Sequence, residues 1–148
     1  MFLISHRGNI NGKNVQKENS PDYILKALSF GYDVEIDVWY VNNKFFLGHD
    51  TPQYEISIEF LKNDKLWCHA KNLASLEKML YNNITCFWHQ TDDYTLTSKG
   101  YIWTYPKWHP VYIDNQIILV VLLAPILPKQ LWPAHRLTHY ELTHVVVD

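Results

Sequence analysis

The strongest constraint on the fold is an apolar run over residues 32–39, in which acidic residues alternate with aliphatic side chains and include Glu35 and Asp37. Alternate residues of a β-strand point to opposite faces, so a strand here would place Glu35 and Asp37 on one face. The aliphatic residues between them would then face a core, namely Val34, Ile36 and Val38. Two adjacent carboxylates can converge on a cation. A solvated sheet face would show the same alternation, so this strand alone leaves both interpretations open.

Short apolar segments of strand length alternate with segments of helical spacing along the chain. We predict main strands over residues 2–5, 32–39, 66–71, 85–89, 101–105 and 116–123, with a hairpin through Asn42-Asn43 into residues 44–47. Helices are predicted over residues 21–30, 54–63 and 73–80, and a helical turn over residues 94–99. Such alternation favours parallel strands joined by crossover helices.

The predicted fold is therefore α/β, a TIM-type (β/α) barrel of parallel strands. A complete barrel needs about 250 residues, and this chain has 148. The barrel would be reduced, incomplete or completed by a partner, so a homo-oligomer is one expected assembly. We assign residues 1–123 to this barrel domain. Residues 124–148, which contain several Pro and His residues, would form a loosely packed C-terminal extension.

Composition narrows the expected partners and compartment. The net charge of −2 gives no general field that would attract nucleic acid. The two cysteines are too few for a disulfide framework, which favours a reducing compartment. The first residues reach His6 without room for the apolar region of a signal peptide, and the apolar run over residues 117–123 is far shorter than the roughly 20 residues of a membrane span. We expect a cytoplasmic protein with no membrane span that acts on a small molecule.

Two His-containing segments flank the acidic strand, Ser5-His6-Arg7-Gly8 and Gly48-His49-Asp50. Imidazole titrates close to neutral pH, so His6 and His49 can exchange protons with reacting hydroxyl groups. Arg7 and Lys71 can stabilise negative charge as it builds on a phosphate. In a parallel-strand fold, His6, Lys71 and His89 would gather at the carboxyl ends of the strands. These groups are suited to cleaving a phosphodiester.

Four pieces of sequence follow one another within the first fifty residues, and they are His6-Arg7-Gly8, Glu18-Asn19, Glu35-x-Asp37 and His49-Asp50. Their order and spacing resemble the glycerophosphodiester phosphodiesterase family, part of a wider group of barrel phosphodiesterases that includes phosphatidylinositol phospholipases. The resemblance covers about the first third of the chain. It implies a metal-dependent phosphoric diester hydrolase with a phospholipase C-like barrel fold and a small glycerophosphodiester-like substrate.

The resemblance also implies roles for individual residues. His6 and His49 would act as acid and base. Glu35 and Asp37 would bind a divalent cation, Mg²⁺ or Ca²⁺, because hard oxygen ligands suit hard ions. Arg7 would hold a phosphate oxygen through its planar fork of donors.

The sequence departs from the family on the third main strand. His69 stands where family members usually carry an acidic residue, two positions before a Lys, and Lys71 fits the phosphate-binding role. His69 would leave a weaker or altered cation site, or one that prefers a softer ion that accepts nitrogen, and His89 could supply another ligand. Glu18 and Asn19 could belong to the site or cap the following helix. The alternative function is a degenerate phosphodiesterase-like domain that binds a phosphorylated ligand without turnover.

Overall fold

The computed structural model of the protein describes residues 2–104, 118–120 and 144–147. The β-strands are β1 (Phe2–His6), β2 (Asp33–Val41), β3 (Lys44–Leu47), β4 (Tyr54–Ile56), β5 (Leu66–Ala70), β6 (Cys86–Trp88), β7 (Tyr94–Leu96), β8 (Ile102–Thr104), β9 (Ile118–Val120) and β10 (His144–Val147). The helices are α1 (Pro21–Ser29), α2 (Ile58–Leu61) and α3 (Leu73–Tyr81).

Local sequence signals explain the two longer helices. Pro21 occupies the first turn of α1, where its missing N–H costs no hydrogen bond, and Gly31 follows the helix with a left-handed φ of 86°. Asn72 caps α3, because its side-chain oxygen accepts a hydrogen bond from the Ser75 N–H at 2.9 Å. Both helices are thereby confirmed, with bounds within one residue of those predicted.

Two other helical predictions fail. Of the helix predicted over residues 54–63, only Ile58–Leu61 is helical, whereas Tyr54–Ile56 forms β4 and pairs antiparallel with β3. The helical turn predicted over residues 94–99 is wrong, because Tyr94–Leu96 forms β7 and pairs antiparallel with β8. Tyr and Thr favour extended structure, and cross-strand pairing decides the conformation of this segment.

All ten described strands belong to one mixed sheet with the order β4-β3-β2-β1-β10-β9-β8-β7, while β5 pairs with β2 and β6 pairs with β5. The ladders that join β1 to β2 and β10, β5 to β2 and β6, and β9 to β8 and β10 are parallel. The β2–β3, β3–β4 and β7–β8 ladders are antiparallel. The prediction of a reduced TIM-type barrel of parallel strands is therefore wrong.

Tight connections account for the antiparallel pairing. A two-residue turn at Asn42 and Asn43, with left-handed φ values of 51° and 61°, reverses the chain from β2 into β3. A short turn that includes Gly100, with φ of 82°, reverses it from β7 into β8. A parallel crossover needs a connection of about a dozen residues or more, so these short turns permit antiparallel pairing alone. The sequence predicts the first of these hairpins, which is confirmed, but not the second.

Strand β2 is the element that positions the candidate site. One edge of β2 pairs with β5, while the opposite edge is shared by β1 near its beginning and by β3 near its end. Strand β1 ends at His6, beside Glu35. Strand β3 runs the other way and ends at Leu47, beside Val38. The segments that follow β1 and β3 therefore both start next to the stretch of β2 that holds the two carboxylates.

The two faces of the sheet differ in chemistry. One face packs against α1 and α3 in the main hydrophobic core, whose buried residues include Ile24, Ala27, Val34, Ile36, Val38, Leu66, Cys68 and Met79. A second buried cluster contains Ile4, Trp67, Phe87 and Trp103. Glu35 lies in register with Trp67 on the adjoining strand, and Asp37 with His69, so the acids share the face of this second cluster. The predicted alternation along β2 is thereby confirmed.

Most of the predicted C-terminal region lies outside the described residues. Within 124–148, residues 144–147 form β10, which pairs in parallel with β1. The domain division after residue 123 stays a prediction. The described parts of the last two predicted main strands are β8 and β9. Within the described segments, no helix combines the length and hydropathy needed to cross a bilayer.

Candidate active site

Glu35 and Asp37 are both buried on the same face of β2. They are 3% and 0% exposed, which excludes the interpretation of a solvated sheet face. Glu35 Oε2 accepts no hydrogen bond from the described residues. Burial raises the pKa of the Glu35 carboxyl, and the negative charge of Asp37 raises it further. A buried carboxylate oxygen without a hydrogen bond is costly, so this oxygen is available to a ligand.

Asp37, in contrast, is surrounded by donors and positive charge. Its Oδ2 accepts a hydrogen bond from Asn19 Nδ2 at 2.9 Å, and its backbone N–H donates to Asn19 Oδ1 at 2.9 Å. Its Oδ1 lies 3.1 Å from His69 Nδ1 and 3.5 Å from Lys71 Nζ. Burial alone would raise the pKa of Asp37, but the hydrogen bond from His69 and the charges of Arg7, His69 and Lys71 outweigh burial and hold the pKa well below its usual range. Asp37 is therefore a fixed carboxylate that stays ionised.

Arg7 links Asp37 to a further buried acid. Arg7 Nη1 donates a hydrogen bond to Glu18 Oε2 at 3.1 Å, and Asn9 Nδ2 donates to Glu18 Oε1 at 3.0 Å. Arg7 Nε lies 2.8 Å from Asp37 Oδ2, but its N–H is not aligned with that oxygen, so this contact is an ion pair without a hydrogen bond. Burial alone would lower the pKa of Arg7, but the charges of Asp37, Glu35 and Glu18 outweigh it and raise the pKa.

Glu18 and Asn19 belong to this network and not to the start of α1. The N-cap position of α1 is Ser20, which makes no side-chain capping hydrogen bond. The Asn19 side chain is bonded to Asp37, and the Glu18 side chain is bonded to Arg7. They orient Arg7, which follows β1, and Asp37, which lies in the middle of β2.

The turn after β1 has an unusual backbone. Arg7 has a left-handed φ of 55°, which residues other than glycine adopt rarely, and Gly8 follows with φ of 88°. The Arg7 N–H donates to the Glu35 carbonyl at 2.8 Å, and the Asn19 N–H donates to the Arg7 carbonyl at 3.1 Å. A Cβ on Gly8 would lie 2.9 Å from Tyr23 Cδ1. Backbone strain held in place by its surroundings is typical of functional sites.

His69 completes a group of three candidate ligands on the second face of the sheet. Its Nδ1 lies 3.8 Å from Glu35 Oε1 as well as 3.1 Å from Asp37 Oδ1. One ligand atom from each of these three residues lies within 4.8 Å of the others. The other ring nitrogen, Nε2, lies 2.9 Å from the His89 carbonyl oxygen. The ring stacks on Phe87, with centroids 5.1 Å apart and an interplanar angle of 4°.

His6 is the second imidazole beside the acids. Its Nε2 lies 3.6 Å from Glu35 Oε2, the oxygen that accepts no hydrogen bond from the described residues. His6 is partly exposed, whereas Glu35 is buried. This arrangement allows the imidazole to exchange a proton with a molecule bound over the acids.

His49 and His89 are less directly connected to the acids. The Gly48 N–H donates to the Asp37 carbonyl at 3.2 Å, so the backbone of His49 begins beside β2. The His49 ring, 43% exposed, lies 2.7 Å from the Asp50 carboxylate and forms no ion pair with Glu35 or Asp37 in the described part of the chain. The His89 ring lies 5.9 Å from the His69 ring between centroids, and burial lowers its pKa, as does the charge of His69.

The structure thus brings together the side chains of His6, Arg7, Glu18, Asn19, Glu35, Asp37, His69 and Lys71. Sequence reasoning missed two residues that support them. Asn9 is fully buried and holds Glu18, and its position directly after the His6-Arg7-Gly8 segment is the signal that could have indicated it. Phe87 holds the plane of His69 and has no sequence signal beyond its place in a predicted strand.

Comparisons with protein-family models, with curated proteins and with solved structures found no match for this chain. The resemblance to glycerophosphodiester phosphodiesterases therefore stays a prediction that depends on the sequence pieces named above.

Proposed function

We propose that this chain is a metal-dependent phosphoric diester hydrolase that acts on a small, glycerophosphodiester-like molecule in the cytoplasm. The observation that carries the proposal is the buried Glu35 Oε2, which accepts no hydrogen bond from the described residues, faces His6 and lies beside Asp37. A cation is the partner that would satisfy this oxygen at neutral pH.

Glu35 and Asp37 would hold the divalent cation, and their oxygens alone suit Mg²⁺ or Ca²⁺. A bound cation would offset the negative charge that builds on the phosphate during attack. Asp37 enters this role already ionised, because its pKa is held low by its contacts. Asn19 fixes the orientation of Asp37 through two hydrogen bonds.

Proton transfer is the role of the two imidazoles. His6 takes the proton of the attacking hydroxyl, which belongs to water or to a neighbouring group of the substrate, as the new oxygen–phosphorus bond forms. The Glu35 carboxylate, 3.6 Å away, stabilises the positive charge that His6 gains. His49 gives a proton to the alkoxide that leaves as the second oxygen–phosphorus bond breaks. Its exposed position suits a group that meets the departing alcohol at the surface.

The phosphate oxygens would be bound mainly by Lys71. Lys71 Nζ has one acidic neighbour, at 3.5 Å, so its donors are not fully used by the described residues. Arg7 is in closer contact with two acids, at 2.8 Å and 3.1 Å. Arg7 therefore acts first on Asp37 and Glu18, and its predicted contact with phosphate is secondary to that of Lys71.

The test is hydrolysis of a panel of glycerophosphodiesters with Mg²⁺, Ca²⁺ or Mn²⁺, followed by phosphorus NMR. We expect cleavage by the wild type and a loss of at least about a hundredfold in His6→Ala, the usual size of an acid–base contribution. His49→Ala should show a loss of similar size. Glu55→Gln is the matched control, because Glu55 is an exposed acid paired with Lys44 away from the site. Equal rates in the wild type and both His variants would overturn the proposal.

A second candidate is binding of a phosphorylated ligand without turnover. The observation that favours it is the neutralisation of Asp37 by Arg7, His69 and Lys71, which leaves less negative charge for a cation. Calorimetric titration with a glycerophosphodiester would then give binding, while phosphorus NMR of the same sample would show no product.

A further inference from the structure

We propose that the cation site selects a divalent ion that accepts a nitrogen ligand, of the Mn²⁺, Co²⁺ or Zn²⁺ class, with His69 Nδ1 as a ligand beside Glu35 and Asp37. The inference rests on the cation site of the proposed function, but it specifies the ion class and the third ligand.

The position of His69 places its imidazole beside both acids. His69 lies directly opposite Asp37 in the parallel β2–β5 ladder, so both side chains project from the same face. His69 Nδ1 lies 3.1 Å from Asp37 Oδ1 and 3.8 Å from Glu35 Oε1. An ion that bridges the two carboxylates would therefore meet this nitrogen as well.

The orientation of the imidazole is set by the partner of its Nε2 nitrogen. The His89 carbonyl oxygen, 2.9 Å from His69 Nε2, can only accept a hydrogen bond, so Nε2 carries a hydrogen. The nitrogen that faces the acids is then Nδ1. In the ion-free protein Nδ1 donates a hydrogen bond to Asp37, and a bound ion would take the place of that proton. Metal-binding imidazoles generally donate their other N–H to a carbonyl or a carboxylate, which fixes the ring for the ion. Stacking on Phe87 fixes the ring plane in addition.

Glu35 offers a ligand atom, Oε2, that the described residues leave without a hydrogen bond. Glu35 is 3% exposed, and its Oε2 accepts no hydrogen bond from the described residues. Asp37 already has Asn19 and Arg7 on one oxygen. Glu35 therefore supplies an unsatisfied oxygen, Oε2, while its other oxygen, Oε1, lies 3.8 Å from His69 Nδ1.

This ligand set decides the class of ion. Carboxylate, carbonyl and water oxygens suit Mg²⁺ and Ca²⁺, whereas imidazole suits transition ions and Zn²⁺. An imidazole among the ligands therefore favours Mn²⁺, Co²⁺ or Zn²⁺ over Mg²⁺ and Ca²⁺. Replacing the imidazole by a carboxylate would favour Mg²⁺ or Ca²⁺ again.

The experiment is pulsed electron paramagnetic resonance of Mn²⁺ added alone to the protein, which detects a directly bound ¹⁴N nucleus. We expect ¹⁴N modulation in the wild type, its loss in His69→Gln, and its retention in His6→Gln and in His49→Gln. Loss of the modulation in His6→Gln instead would assign the ligand to His6 and overturn the inference. A wild-type spectrum without ¹⁴N modulation would overturn it too, whatever the variants do.

Calorimetry supplies the second measurement. The wild type should bind Mn²⁺ at least about tenfold more tightly than Mg²⁺, and His69→Asp should reduce that ratio. Neither measurement uses a substrate, so the inference and the proposed function fail separately. Nitrogen coordination without hydrolysis would sustain the inference alone. Hydrolysis supported by Mg²⁺ in a protein without nitrogen coordination would sustain the proposed function alone.

Discussion

Glu35 reduces the stability of the folded protein at neutral pH. Its raised pKa means that the folded state binds the Glu35 proton more tightly than the unfolded chain does. The stability contributed by protonated Glu35 is therefore fully present below about pH 4.3, the pKa of a Glu carboxyl in the unfolded chain. It is lost as the pH rises through the folded pKa. A residue that is present although it lowers the stability of the folded protein is a candidate for function.

We predict that Glu35→Gln stabilises the metal-free protein by about 1 kcal/mol at pH 7, a usual gain when a functional group with a stability cost is replaced. The gain should shrink as pH falls and disappear well below about 4.3, where Glu35 is protonated in both states. Urea unfolding at several pH values measures it. The control is Glu55→Gln, an exposed position that should change stability by less than about 0.5 kcal/mol. A loss of stability in Glu35→Gln at pH 7 would contradict this account of the site.

Asp37 has the opposite effect. Its lowered folded pKa contributes stability above the unfolded value of about 3.9, and that stability is lost as pH falls through the folded pKa. We predict that Asp37→Asn destabilises the protein by about 3 kcal/mol at pH 7, because it leaves the buried Arg7 without its nearer acid. Asp50→Asn, at an exposed acid, is the control. Urea unfolding that shows equal effects of the two substitutions would disprove the prediction.

At the scale of residues, the sequence alone predicts the face on which a side chain lies wherever the two-residue period of a strand applies. Alternation along β2 placed Glu35 and Asp37 on one face, and the structure confirms it. Their burial and the burial of Asn9 could not be predicted, because both depend on which segments cover the face. Asn19 shows the same limit, since its type fits a helix cap and only the folded chain brings it to Asp37.

At the scale of elements, the turn between β1 and α1 is the structure that delivers Arg7 to the acids. We predict that Gly8→Ala destabilises the protein by more than about 1 to 2 kcal/mol, the cost of a left-handed residue with a Cβ. The loss of stability beyond this backbone cost comes from contact between the new Cβ and Tyr23. Gly31→Ala isolates the backbone cost, because Gly31 has φ of 86° and a Cβ added there would meet no atom of the described residues within 4 Å. Equal losses in thermal unfolding of the two variants would show that the contact with Tyr23 is unimportant.

The sequence predicts whether a segment forms a helix or a strand better than it predicts which strands pair. Pro21 and Gly31 bound α1, and Asn72 caps α3, so both helices could be predicted from local signals. Strand β7 could not, since three residues are too few to show a strand period and it is pairing with β8 that holds them extended. The antiparallel β2–β3, β3–β4 and β7–β8 ladders make the sheet mixed, whereas strand–helix alternation predicted parallel pairing and therefore the wrong fold class.

At the scale of the whole molecule, β10 joins the site-bearing half of the sheet to β9. It pairs with β1 on one side and with β9 on the other, so it is an interior strand. Proline within an interior strand removes a ladder N–H. We predict that Val146→Pro destabilises the protein by about 1 to 3 kcal/mol more than Val146→Ala, which keeps the N–H. Urea unfolding compares the two, and equal losses would show that this pairing contributes little to stability.

Calorimetric titration of Mn²⁺ into the wild type and Glu35→Gln tests most directly whether Glu35 and Asp37 hold a divalent cation. We expect one bound ion per chain in the wild type, no detectable binding to Glu35→Gln, and unchanged binding to Glu55→Gln. Absence of binding to the wild type, or equal affinity of the wild type and Glu35→Gln, would contradict this expectation.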